Sequence, residues 1–105
     1  GLGNEIIKNR VKIGKIKYAM FSGAFIKRTK KEKDAIDLLI IGTIVLPELA
    51  VLVRNEERRL SCEINYTAMS EDEFTFRRKK SDPFILSILW GSRVMLIGDE
   101  ESMLS

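Results

Sequence analysis

Lys17-Tyr18-Ala19-Met20-Phe21-Ser22-Gly23-Ala24-Phe25, a basic run Lys27-Arg28-Thr29-Lys30-Lys31-Glu32-Lys33, and then Ala35-Ile36-Asp37-Leu38-Leu39-Ile40-Ile41-Gly42 form the stretch that decides the fold. From Ile16 to Phe21, Ile16, Tyr18 and Met20 alternate with Lys17, Ala19 and Phe21, which predicts a strand. Ser22-Gly23-Ala24 predicts a turn or the start of a short helix. Lys27 to Lys33 has no apolar period and reads as an exposed loop. Ile36 to Ile41 is a nearly continuous run of leucine and isoleucine. Such a run predicts a central strand covered on both faces, closed by Gly42-Thr43. Asp37 is the one acid inside it.

Outward from that pair, the pattern sets the other elements. Asn4 to Lys12 reads as a short helix, with Ile6, Ile7 and Val11 on one side and Lys8, Arg10 and Lys12 on the other, stopped by Gly14. Leu46 to Leu60 reads as an amphipathic helix with Pro47 in its first turn and Glu48 at the positive end of its dipole. Leu49, Leu52, Val53 and Leu60 would face the sheet, while Arg54, Glu56, Glu57 and Arg58 would face water. Glu63 to Ala68 predicts a third strand. Ser70-Glu71-Asp72-Glu73 is a capping box for a helix carrying Phe74 and Arg77-Arg78. Asp82-Pro83 opens a further helix, with Asp82 as its cap and Phe84, Ile85, Ile88 and Leu89 as its apolar face, ended by Gly91. Arg93 to Ile97 predicts the last strand, and Met103-Leu104 a short tail. The expected fold class is α/β (α+β): a two-layer mixed β-sheet with helices mainly on one side, in one domain spanning residues 1–105.

Composition excludes several functions. An apolar fraction of 45% is enough for a packed core. No apolar run reaches the roughly 18–20 residues that span a bilayer, and no signal peptide is visible, so no membrane partner is expected. The chain has no histidine, which removes the commonest general base and transition-metal ligand. Any metal would need oxygen ligands, which favours magnesium or calcium. Cys62 stands alone, so no intrachain disulfide forms and a cytoplasmic location is the default expectation. Cys62 is expected to be a small, partly buried residue, and Trp90 to lie in the core or an interface. Net charge is +3, with basic clusters at Lys27–Lys33 and Arg77-Arg78-Lys79-Lys80 that read as solvated surface or as anion contacts.

The spacing of Ser22-Gly23 and Asp37 resembles the DNA polymerase β-like nucleotidyltransferase family. That family carries Gly-Ser after an apolar strand and Asp-x-Asp opening the next. A strand has period two, so such an acid pair faces one way and can hold magnesium with a third acid from a neighbouring strand. In this chain Gly-Ser has become Ser22-Gly23, the first aspartate has become Ala35, and Asp37 remains of the pair. Asp34 is adjacent but would point to the opposite face. Asn65 stands at the third acid, with Glu63 two residues away as a partial replacement. Read simply as residues, Asp37 is either a turn, cap or ion-pair residue or a residual metal or nucleotide contact. Asn65 and Tyr66 are equally readable as ordinary strand residues.

A wider resemblance covers most of the chain. Asp37-Leu38-Leu39-Ile40-Ile41-Gly42, Glu63-Ile64-Asn65-Tyr66-Thr67, Glu73-Phe74 with Arg77, Asp82-Pro83-Phe84 and Leu96-Ile97-Gly98-Asp99 are similar to the nucleotidyltransferase-like domain that follows a winged helix in transcriptional regulators. The resemblance implies a degenerate, inactive domain that senses a ligand or binds a partner, either an isolated C-terminal domain or a stand-alone relative. It implies a nucleotide held near Ser22, Gly23, Lys27, Arg28 and Lys30, with Asp37 as the remnant metal ligand and magnesium as cofactor only if the site is active. DNA would be reached only through an attached winged helix. A homodimer or a helical protein partner is the other expected association. The alternatives are an active magnesium-dependent nucleotidyltransferase using Asp37 and Glu63, or the antitoxin of a minimal-nucleotidyltransferase toxin–antitoxin pair.

Overall fold

The computed structural model describes residues 1–28 and 35–105. Thr29 to Asp34, which include Lys30 and most of the expected basic loop, lie outside the described residues. The central strand pair sets the architecture. β1 (Gly14–Ser22) and β2 (Leu38–Ile44) run antiparallel, with Phe21 opposite Leu38 and Ala19 opposite Ile40. β3 (Tyr66–Met69) lies parallel to β2, and β4 (Arg93–Ile97) lies antiparallel to β1, giving the order β3-β2-β1-β4. This is the expected mixed sheet. β2, β3 and β4 point one way and β1 the other.

Helices cover both faces of the sheet, rather than mainly one as the sequence suggested. α1 (Leu2–Lys8), α2 (Arg10–Ile13) and α4 (Leu46–Leu60) place Ile6, Ile13, Leu49 and Val53 against Ala19, Phe21, Leu38 and Ile40. α5 (Glu71–Lys79), α6 (Pro83–Trp90) and α7 (Glu100–Leu104) place Phe74, Ile85 and Met103 against Tyr18, Met20, Leu39 and Ile41. The cause is in β2 itself. Successive strand side chains point to opposite faces, so an unbroken apolar run needs a cover on each. Among the described residues no helix is long and apolar enough to cross a membrane.

Several elements depart from the sequence reading for local reasons. The first helix breaks at Asn9, so Ile13 reaches the core while Val11 is 88% exposed. The third strand starts at Tyr66, not Glu63. The tail is the short helix α7, whose Asp99 side chain accepts the Ser102 N–H and whose Met103 is buried. Ser70 caps α5 as expected, but the Glu73 carboxylate pairs with Arg77 at 2.8 Å. Asp82 occupies the cap position of α6 without a side-chain cap bond and faces Arg77 at 3.6 Å. Cys62 is exposed, and Trp90 is 80% exposed rather than in the core.

Glu56 is the clearest reversal. Placed on the wet face of α4 by periodicity, it is buried and ties α1 down. Its carboxylate accepts the Leu2 N–H at 3.0 Å and the Arg59 Nε–H at 2.7 Å. The Arg59 hydrogen bond, helped by the Leu2 N–H and opposed by burial, lowers its pKa from 4.5 to about 2. A folded-state value below the unfolded one stabilises the fold above pH 4.5, and the gain is lost as pH falls toward about 2. Glu56→Gln should therefore cost on the order of 2 kcal/mol at neutral pH in urea unfolding, with the difference from the parent chain shrinking as the pH is lowered.

Gly42 is required where it stands. β1 shifts register between Ile16 and Tyr18 beside it, its φ is +151°, and a Cβ would lie 2.1 Å from the Lys15 carbonyl oxygen. Gly42→Ala should lower the unfolding midpoint in urea, by about 3 kcal/mol of stability, because both the backbone and the neighbouring strand must shift.

Candidate functional site

The end of the sheet where β1 stops and β2 starts gathers the residues singled out by sequence. The Ser22 N–H donates to the Asp37 carbonyl at 2.9 Å. The Asp37 N–H donates to the Asn65 carbonyl at 2.8 Å. Ser22, Gly23, Ala35, Asp37 and Asn65 are thus neighbours.

Their side chains are engaged in holding the fold. Asp37 is 1% exposed, and its Oδ2 accepts the Asn65 backbone N–H at 2.9 Å. The Asn65 side-chain amide donates to the Ala35 carbonyl at 3.0 Å. Ser22 Oγ accepts the Phe25 N–H at 3.1 Å and caps α3 (Gly23–Lys27). Gly23 donates its N–H to the Ser92 carbonyl at 2.9 Å, and a Cβ on it would fall 1.9 Å from Ser92 Oγ. The small residue is needed for β4 to approach, which accounts for it without a phosphate. Ser92 carries no signal in the residue pattern, because it is brought in by the pairing of β4 with β1.

The remaining expected residues lie apart from this cluster. Lys27 is exposed at the end of α3, and Arg28 follows, exposed, in a left-handed turn with φ 56°. Glu63 is exposed in the connection between α4 and β3, so it does not share a strand face with Asn65. Lys30 and Asp34 lie outside the described residues. A shallow depression of about 410 Å³ beside Asn65 is lined by Ile36, Ile64, Asn65 and Tyr66.

Among the described residues this donor set does not fit magnesium. The ion needs several oxygen ligands in near-octahedral order and parts with water reluctantly. Here Asp37 sets Oδ2 on a backbone N–H, residue 35 is an alanine, and Asn65 turns its amide to the Ala35 carbonyl. Among the described residues no group of three His, Cys, Asp or Glu side chains is placed to hold a metal.

The second basic run is also largely occupied. Arg77 bridges Glu73 and Asp82, and the Glu73 hydrogen bond raises its pKa above the ordinary arginine value. Arg78 donates to the carbonyls of Met103 at 2.8 Å and Leu104 at 3.1 Å, and also to that of Ser105, which ties α5 to the end of α7. Lys79 and Lys80 are exposed, with Lys80 Nζ 5.7 Å from the centre of the Phe76 ring.

The fold is mixed α+β and nucleotidyltransferase-like, a four-stranded mixed sheet with helices on both faces. A solved structure that shares the fold is the crystal structure of a mutant of the toxin–antitoxin MntA–HpeT, at a TM-score of 0.52 and 13% sequence identity, covering 97% of this chain and 80% of that chain. At that identity the likeness shows the fold alone. No protein-family profile and no curated protein matches the chain.

If Asp37 is an anchor for the backbone of Asn65, its acceptor oxygen matters more than its charge. Asp37→Ala should cost roughly 2 kcal/mol in urea unfolding and Asp37→Asn clearly less, since an amide oxygen can still accept the Asn65 N–H.

Proposed function

We propose that this chain is a nucleotidyltransferase-fold domain that works by binding rather than by transfer, as the sensing or interaction module of a regulatory protein. One observation carries the reading: Asp37, the surviving acid of the family pair, is buried with an oxygen on the Asn65 N–H. Ala35 and Asn65 at the other acid positions support it, since neither adds a negative charge. Transfer of a nucleotidyl group needs carboxylates that carry metal between triphosphate and acceptor. What remains at this corner is a frame without that charge.

A nucleotide is the ligand that Lys27 and Arg28 would suit, through their exposed cationic heads at the far end of the helix that Ser22 caps. A transcriptional role would follow if the domain is joined to a winged helix. The likeness to MntA–HpeT favours a second reading, in which the partner is another protein of a toxin–antitoxin pair.

The deciding experiment incubates the protein with magnesium, each labelled nucleoside triphosphate and lysate of the native host. The expected result is no label transferred above the heat-denatured control, and no difference between the parent chain and Asp37→Ala. Magnesium-dependent labelling that Asp37→Ala abolishes would overturn the reading. Thermal unfolding with each nucleotide then separates sensor from scaffold. A ligand at 100 times its dissociation constant should stabilise the fold by about 2.7 kcal/mol, and a pure protein-binding module should show no shift.

A further inference from the structure

We propose that Trp90 is the stacking platform for the base of a nucleotide held at the Ser22-Gly23 corner, so that the ligand is read by its aromatic ring and not by its phosphates alone. The proposal rests on the nucleotide reading above and adds to it a residue and a chemical class. Trp90 is the one tryptophan of the chain and stands 80% exposed at the last position of α6. Among the described residues it makes no ring–ring and no cation–ring contact. Its indole therefore serves neither the core nor an aromatic pair. Phe76, the other aromatic among the large exposed apolar residues, differs in this respect, because Lys80 Nζ already lies 5.7 Å from its ring centre.

The fold fixes Trp90 beside the corner. Two residues on, the Ser92 carbonyl accepts the Gly23 N–H at 2.9 Å. Two residues of chain reach no further than about 7 Å, so the backbone of Trp90 stays within that distance of Ser92. Arg93 stands opposite Ser22 in the pairing of β4 with β1. Its guanidinium donates to the carbonyls of Leu89 and Gly91, the residues on either side of Trp90. The Arg93 side chain is 9% exposed and pairs with Glu100 at 3.2 Å, which neutralises that acid. The strand partner of Ser22 thus clamps the backbone around Trp90, and the ring is held in place without being covered. Gly23 also opens α3, which ends on the cations Lys27 and Arg28, so a ring platform and a pair of cations depart from the same turn. A pre-placed ring suits a flat heterocycle. Stacking needs only a free face, and every base has one to offer. A ring already fixed by its backbone loses little freedom when the base arrives.

The single tryptophan makes its own fluorescence the readout. The full chain is titrated with ATP, GTP, CTP and UTP, and with inorganic tripolyphosphate as the probe without a base, while thermal unfolding is followed in parallel. The expected result is that the nucleotides quench Trp90 and raise the unfolding temperature, purines at lower concentration than pyrimidines, and that tripolyphosphate does not quench. Trp90→Leu should raise the dissociation constant for ATP about tenfold or more and leave that for tripolyphosphate unchanged, with an unaltered circular dichroism spectrum. Trp90→Phe should recover part of the loss, and Phe76→Leu should have no effect on ATP binding. Nucleotides that stabilise the fold without quenching, and that bind Trp90→Leu as well as the parent chain, overturn the proposal while leaving the nucleotide reading in place. A parent chain stabilised by no nucleotide overturns both.

Discussion

Three strands meet on one aspartate. Asp37 accepts the Ser22 N–H from β1 at its carbonyl, gives its own N–H to the Asn65 carbonyl ahead of β3, and takes the Asn65 N–H on its carboxylate. A buried carboxylate is expensive to desolvate, and hydrogen bonds from backbone N–H groups offset that cost. The parallel pairing of β3 with β2 begins at this point, with Leu38 opposite Tyr66. Parallel strands cannot be joined by a tight hairpin, so their register must be fixed at the ends of a long connection. Here the connection is α4, and Asp37 secures its return. Asp37 is therefore used for topology.

The neighbouring positions are held in the same way. The turn at Ser22-Gly23 keeps its small residues because Ser22 caps α3 and Gly23 admits Ser92. Asn65 keeps an amide because it reaches the Ala35 carbonyl. Each position is under a structural constraint of its own.

Much of the frame was legible in the sequence where the apolar pattern was strong. α4 and β4 follow from a helical period and a short strand pattern and stand at the expected bounds, while β2 follows from the apolar run but starts at Leu38 and continues through Gly42-Thr43 to Ile44. The cover on the second face was less legible, because α7 is short and only the burial of Met103 reveals its role. Glu56 could not be read from periodicity, since its burial depends on the start of α1 folding onto α4 from 54 residues away. At the site, sequence identified Ser22, Gly23, Asp37 and Asn65 as neighbours, and it misplaced Glu63 because β3 begins three residues later than the alternation suggested. What each side chain does there is set by backbone partners, which a residue pattern does not display.

The central claim is that Asp37 is a structural anchor and not a metal ligand. The most direct measurement titrates manganese into isotope-labelled protein and follows paramagnetic broadening of the backbone amides. The account predicts no saturable broadening centred on Asp37, Leu38 and Asn65 at sub-millimolar metal. Saturable broadening centred on those amides, and lost in Asp37→Asn while the fold is retained, would contradict it.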